Sequence, residues 1–160
     1  MRKTVHNQGL SIVEVLLGLS LFAIIFLFIY QTLTLFFLEH ARVIEHTQAV
    51  YLAEAGQESL RYLRDEDWNT LADLTPGTTY YLSVSTTTIA TSSSPELINN
   101  KYSRSFTLWP AYRNSDDDLV ASTTPGATAD AGSVVSIVRV TWGADKVVQL
   151  ESLLTNLQNI

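Results

Sequence analysis

The chain has 160 residues, with 10 basic against 16 acidic side chains, a net charge of −6, three histidines and no cysteine. That length suits one folded domain with an appendage, and the acidic balance with scattered Lys and Arg excludes binding to bare phosphate backbones, so no direct contact with nucleic acid is expected. The absence of Cys excludes a disulfide framework and a thiolate metal centre, and His6, His40 and His46 show no ligand spacing and read as solvated surface histidines.

The first element is announced by "NQGLSIVEVLLGLSLFAIIF", which starts at Asn7 and runs on to Leu38. Between Glu14 and Glu39 no residue is charged. A helix of about 20 apolar residues spans a bilayer, and Ser20, Gln31, Thr32 and Thr34 interrupt this run without breaking it. A cleaved secretory signal has a shorter apolar core and a small-residue cleavage site; the sequence "FFLEHARV" offers none. Arg2 and Lys3 precede the run with no acid beside them, which by the positive-inside rule places the N-terminus in the cytoplasm and the remainder outside. Glu14 is the anomaly, because a charge inside a membrane-length helix costs roughly 2.5–3.5 kcal/mol at the centre and less toward the ends. Either it sits near the interface with no special role or it has a partner.

The whole local pattern is a short basic leader, "MRKTVHNQG", ending in Gly9, an apolar helix from Leu10, and an acid at the fifth position after that Gly. It resembles the class III signal of type IV pilins and pseudopilins. The resemblance implies cleavage by prepilin peptidase after Gly9, methylation of the new N-terminal Leu10, and retention of the apolar helix in the mature protein. It implies that Glu14 is the assembly acid, whose carboxylate meets the Leu10 ammonium of a neighbouring subunit in the dry core of a filament. A buried charge is tolerable when paired, and removing one partner costs roughly 3–5 kcal/mol. Cleavage would also remove Arg2 and Lys3, leaving 8 basic and 16 acidic residues, a net −8. Two departures are visible: many relatives have Phe or Met where this chain has Leu10, and no Pro interrupts the helix before Pro76.

Beyond Leu38 the helix is expected to continue. Ala49, Leu52, Ala53, Gly56, Leu60 and Leu63 recur at helical spacing and line one face. Glu58 with Arg61, and Arg61 with Asp65, are spaced for weak surface pairs. Asp65, Glu66 and Asp67 oppose the helix dipole, so the helix should end there. One helix from Leu10 to Arg64 would be about 80 Å long. The reading of the chain is therefore a leader over 1–9, a transmembrane or filament-core helix over 10–38, an amphipathic continuation over 39–65, and a β-rich periplasmic or extracellular head over 66–160.

Within the head, alternation puts Tyr80, Leu82 and Val84 of "TTYYLSVS" on one side. "KYSRSFTLW" turns Tyr102, Phe106 and Leu108 inward with Arg104 in the same phase, which suggests an edge. "VVSIVRVTW" gives Val138, Val140 and Trp142; "KVVQLESLL" gives Val148, Leu150 and Leu154; and "GADK" between them predicts an antiparallel hairpin. The fold class is α+β, with a long N-terminal helix packed on an antiparallel sheet of about four strands. The stretches "STTTIATSSSPELINN" and "RNSDDDLVASTTPGATADAGS" read as exposed loops. Asp116, Asp117 and Asp118 are weak candidates for a Ca²⁺ site, since they supply oxygen ligands but no EF-hand spacing; the solvated loop is the preferred reading, and no metal or cofactor is expected. Trp68, Trp109 and Trp142 read as core or helix–sheet contacts, with an exposed sugar-binding platform as the alternative.

The chain contains no phosphate-cradling Gly loop, HExxH helix or GxSxG elbow. All three histidines precede residue 47, so a Ser-His-Asp catalyst within the head is excluded by inventory. No enzyme activity is expected. The resemblance implies a filament subunit, more like a minor pilin or pseudopilin than a principal one. Its implied partners are prepilin peptidase, sister subunits, an inner-membrane assembly platform and lipid. It would wait in the inner membrane as a single-pass protein before assembly. The alternative is a single-pass anchored binding or adhesion domain that never polymerises.

Overall fold

The computed structural model describes residues 11–84, 89–95 and 97–157. Helix α1 spans Ile12–Glu66 without a break, and the four-residue α2 spans Asn69–Ala72. Seven strands follow: β1 Tyr80–Val84, β2 Ile89–Ser92, β3 Leu97–Ile98, β4 Tyr102–Arg113, β5 Leu119–Val120, β6 Thr128–Trp142 and β7 Lys146–Thr155. The chain divides into two compact units, one ending at Ile44 and the other running over Glu45–Ile160.

In the second unit all strand pairs are antiparallel, in the order β2-β1-β4-β6-β7, with β3 and β5 pairing on β4 near its start and its end. The sheet therefore has seven strands, not about four. The long strands lie where alternation is clear in the sequence. The additional ones are two to four residues long and sit inside Ser/Thr-rich segments, held by their partners more than by their own pattern. The β3–β4 connection shows how: Asn99 and Asn100 both have positive φ, at 53° and 52°, and Lys101 N–H donates to Ile98 O at 3.1 Å. Asn accepts this left-handed conformation readily, and the pair reverses the chain within the three residues between Ile98 and Tyr102. The "GADK" hairpin forms as expected, pairing Trp142 with Lys146.

One face of the sheet is covered by α1 from Glu45 onward. Ala49, Ala53, Gly56, Leu60 and Leu63 are buried together with Leu82, Tyr102, Phe106, Leu108, Val138, Val140, Trp142 and Leu154. Each fully buried Leu, Val or Phe contributes about 1.5–3 kcal/mol of transfer free energy. The helix side of this contact is built from small residues, so the axis comes close to the sheet. At Gly56 an added Cβ would stand 2.8 Å from Val138 Cγ1 and 3.1 Å from Arg104 Cδ.

Arg104 is not at an edge. It lies on β4, between β1 and β6, and is buried, with its stem under Gly56 and Nη1 donating to Leu52 O at 3.4 Å. A long side chain packs through its methylenes while its head finds a carbonyl. Gln57 also joins the buried face: its Nε2 donates to Leu150 O at 3.0 Å, and its Oε1 accepts from Ser136 Oγ at 2.9 Å. Further expectations shift. Trp68 and Trp142 are buried, but Trp109 is 49% exposed. Arg61 pairs with Glu58, whereas Asp65 is taken by Arg64 at 2.7 Å. Val84 keeps the phase of buried Leu82 but is itself exposed at the end of β1.

Overpacking the closest approach should destabilise: Gly56→Val is expected to lower unfolding free energy by about 1–3 kcal/mol, and Phe106→Ala by about 3–5 kcal/mol. Urea unfolding of the detergent-solubilised chain, followed by tryptophan fluorescence, measures both.

Candidate functional site

The first unit is conspicuous because none of the described residues covers its apolar surface. Over an 18-residue window of α1 the mean hydropathy is 2.8 with no residue buried, which makes the helix long and apolar enough to cross a membrane. From Ile12 to Leu38 the large apolar side chains are half or more exposed on every side. A helix apolar all round belongs in lipid or in a protein core. Its polar members fit such surroundings. Ser20 Oγ donates to Leu17 O at 2.8 Å, Thr32 Oγ1 to Phe28 O at 2.8 Å and Thr34 Oγ1 to Tyr30 O at 2.9 Å. Each of these three hydroxyls returns its proton to its own helix, so its donor is satisfied in an apolar medium. The run ends in an exposed ion pair, Glu39 with Arg42 at 2.6 Å, beside His40 stacked on Phe36.

Glu14 lies in the first turn of α1, on the exposed surface, and has no ion-pair partner among the described residues. The helix N-terminus favours a carboxylate there, so the local fold tolerates the charge without using it. Gly9 and Leu10, the expected cleavage and methylation positions, lie outside the described residues.

The second unit begins with its own electrostatic fastening. Glu45 accepts from Lys101 Nζ at 2.8 Å through Oε1 and from Lys146 Nζ at 2.6 Å through Oε2, and Trp142 Nε1 donates to Oε2 at 3.3 Å. Tyr102 OH adds a bond to Gln48 Oε1 at 2.8 Å. One carboxylate thus ties α1 to the residue before β4, the end of β6 and the start of β7. His46, read as merely solvated, stands edge-on to Trp142 at 6.2 Å between ring centroids. The two lysine ammoniums hold the Glu45 carboxyl down to about 2, from an ordinary value of 4.5; hydrogen bonding to Lys101 is the largest cause and to Lys146 the next. The sequence offered a lone Glu at position 45 and two distant lysines, with no local signal joining them.

The acidic loop is organised differently from a cation site. Asn114 Oδ1 accepts from the backbone N–H groups of Asp116 at 3.0 Å and Asp118 at 2.9 Å, while Asp117 takes a positive φ of 68°. Arg113 supplies the positive charge: it donates to Asp117 O at 2.8 Å and pairs with Asp130 at 2.8 Å. This partnership lowers the Asp130 carboxyl, the Arg113 hydrogen bond being the largest cause. Among the described residues no group of three His, Asp or Glu side chains is placed to hold a metal ion.

Compared with protein-family models, curated proteins and solved structures, the chain matches none.

The Glu45 pair gives a pH test. Its folded-state carboxyl titrates below the unfolded one, so its stabilisation is present above about 4.5 and is lost as pH falls toward about 2. The melting temperature should drop across that window, and Glu45→Gln should lower it near neutrality and flatten the acid limb. Thermal melts at graded pH measure this.

Proposed function

We propose that the chain is a structural subunit, of the minor pilin or pseudopilin kind, of a type IV pilus-like filament. Glu14 carries the reading: a single carboxylate, five residues after Gly9, opens a helix otherwise free of charge up to Glu39. A membrane anchor needs the apolar run but has no use for this acid. A filament in which each helix meets its neighbour's new ammonium does, because the pair neutralises both charges where water is absent.

On this reading prepilin peptidase cuts after Gly9 and Leu10 becomes the methylated N-terminus. The subunit rests in the inner membrane with its N-terminus cytoplasmic until the assembly platform extracts it. The all-round apolar stretch then exchanges lipid for sister helices, with Ser20, Thr32 and Thr34 already donating to their own helix. The β-rich unit is displayed outside. It acts through assembly and binding, without catalysis.

Intact-mass and N-terminal peptide mass spectrometry on membrane-extracted protein tests the processing. The expected peptide starts at Leu10 and is one methyl heavier; a chain still starting at Met1 in cells with active prepilin peptidase overturns the proposal. Glu14→Leu should leave membrane insertion and cleavage intact yet remove the subunit from sheared filaments. Filament incorporation at the wild-type level would show that the pairing mechanism is wrong.

A further inference from the structure

The outer face of the sheet, away from α1, carries a row that the filament reading does not use. Register places Trp109 on β4 opposite Val135 on β6, and Val135 opposite Leu153 on β7. At the usual strand spacing this row is about 10 Å wide. It floors a cavity of about 780 Å³ walled on one side by the β5 segment, with Tyr112, Ser122 and Glu151 around the floor. That volume falls in the range of small-molecule sites.

Trp109 is held there. Its six-membered ring rests on Gly77, where φ is +75° and an added Cβ would come within 2.9 Å of ring atom Cη2. Gly77 N–H is itself fixed to Leu108 O at 2.9 Å. The indole is therefore braced along one edge while half its surface faces solvent. Such an aromatic surface costs little ordering entropy when a ligand lands on it.

The surrounding chemistry selects the ligand class. Among the described residues the only charged side chain lining the cavity is Glu151, and it makes no ion pair with any of them. With no cation in the lining, an anionic ligand has nothing to meet, and the chain's net −6 adds to that exclusion. What fits is a neutral molecule with an apolar face for the indole and hydroxyls for a carboxylate, a phenol and a serine. We propose that this cavity binds a neutral glycan, with one sugar ring stacked on Trp109 and its hydroxyls donating to Glu151. The site stands whether or not the chain polymerises.

The test uses the full chain in detergent, applied to an array of neutral hexose, N-acetylhexosamine and fucose-containing oligosaccharides, with the best ligand then titrated by tryptophan fluorescence. Saturable binding is expected, lost with Trp109→Ala and at least about tenfold weaker with Glu151→Gln. Glu151 is exposed, so its variant should melt at the wild-type temperature. Trp109→Phe should retain part of the affinity, which separates stacking from loss of fold. An array with no saturable ligand overturns the proposal, as does binding unchanged in Trp109→Ala. Saturation by trilysine in place of sugar, abolished by Glu151→Gln, would make the site one for cations and overturn it equally.

Discussion

How near α1 can approach the sheet is decided at Gly56. With no side chain there, Val138 and the stem of Arg104 fill the space that a Cβ would need, and Ala49 and Ala53 extend the same narrow strip toward Glu45. Close approach of a smooth helix face to a sheet excludes water from the central strands and brings Gln57 within reach of Ser136 and the Leu150 carbonyl. Polar groups placed so deeply are costly unless satisfied, so the distance that Gly56 permits also sets whether that network closes. The sheet's register, the helix's rotation and the buried hydrogen bonds are one solution, not three separate ones.

The same helix carries two kinds of surface. Up to Leu38 its exposed surface is apolar on all sides, and from Glu45 only one strip is apolar and the rest is largely polar and charged. No Pro or cap marks the change; it is written purely in composition. Because backbone hydrogen bonds within a helix do not depend on the medium, one uninterrupted element can carry both surfaces without interrupting its backbone ladder.

Much of this was legible along the chain. The long helix, its end among Asp65, Glu66 and Asp67, its apolar strip, the four main strands and their hairpin follow from periodicity, and the structure shows them. What escaped was whatever depends on a partner distant in sequence. β2, β3 and β5 are too short to show a period, and the first residues of β6, "TADAGS", carry turn chemistry yet pair with Ala111, Tyr112 and Arg113. Arg104 looked like an edge residue because a charge in an inward phase implies solvent, whereas the helix backbone at Leu52 receives it. Gln57 sits among small apolar residues at helical spacing and could have been placed on the buried face by position alone; its polarity hid it. Trp109 departs for a different reason: strict alternation from inward Phe106 and Leu108 already turns it to the outer face, and its aromatic character alone suggested the core. Of the candidate assembly residues only Glu14 falls among those described, and its pattern was visible because it breaks an otherwise uniform composition.

The position of Glu45 has a practical corollary. It is the first residue of the compact unit and already holds Lys101 and Lys146. A soluble fragment made by removing the apolar helix is safe only if its new terminus lies upstream of this residue, with a turn of helix to spare. A fragment opening at Thr47 would keep every apolar contact of the buried strip and still shed the carboxylate that neutralises two lysines at the strand ends. Such a protein would be expressed as an apparently intact head carrying an artefact of its own boundary: two like charges facing each other at the end of the sheet, and a fraying first turn where the parent chain is most firmly tied.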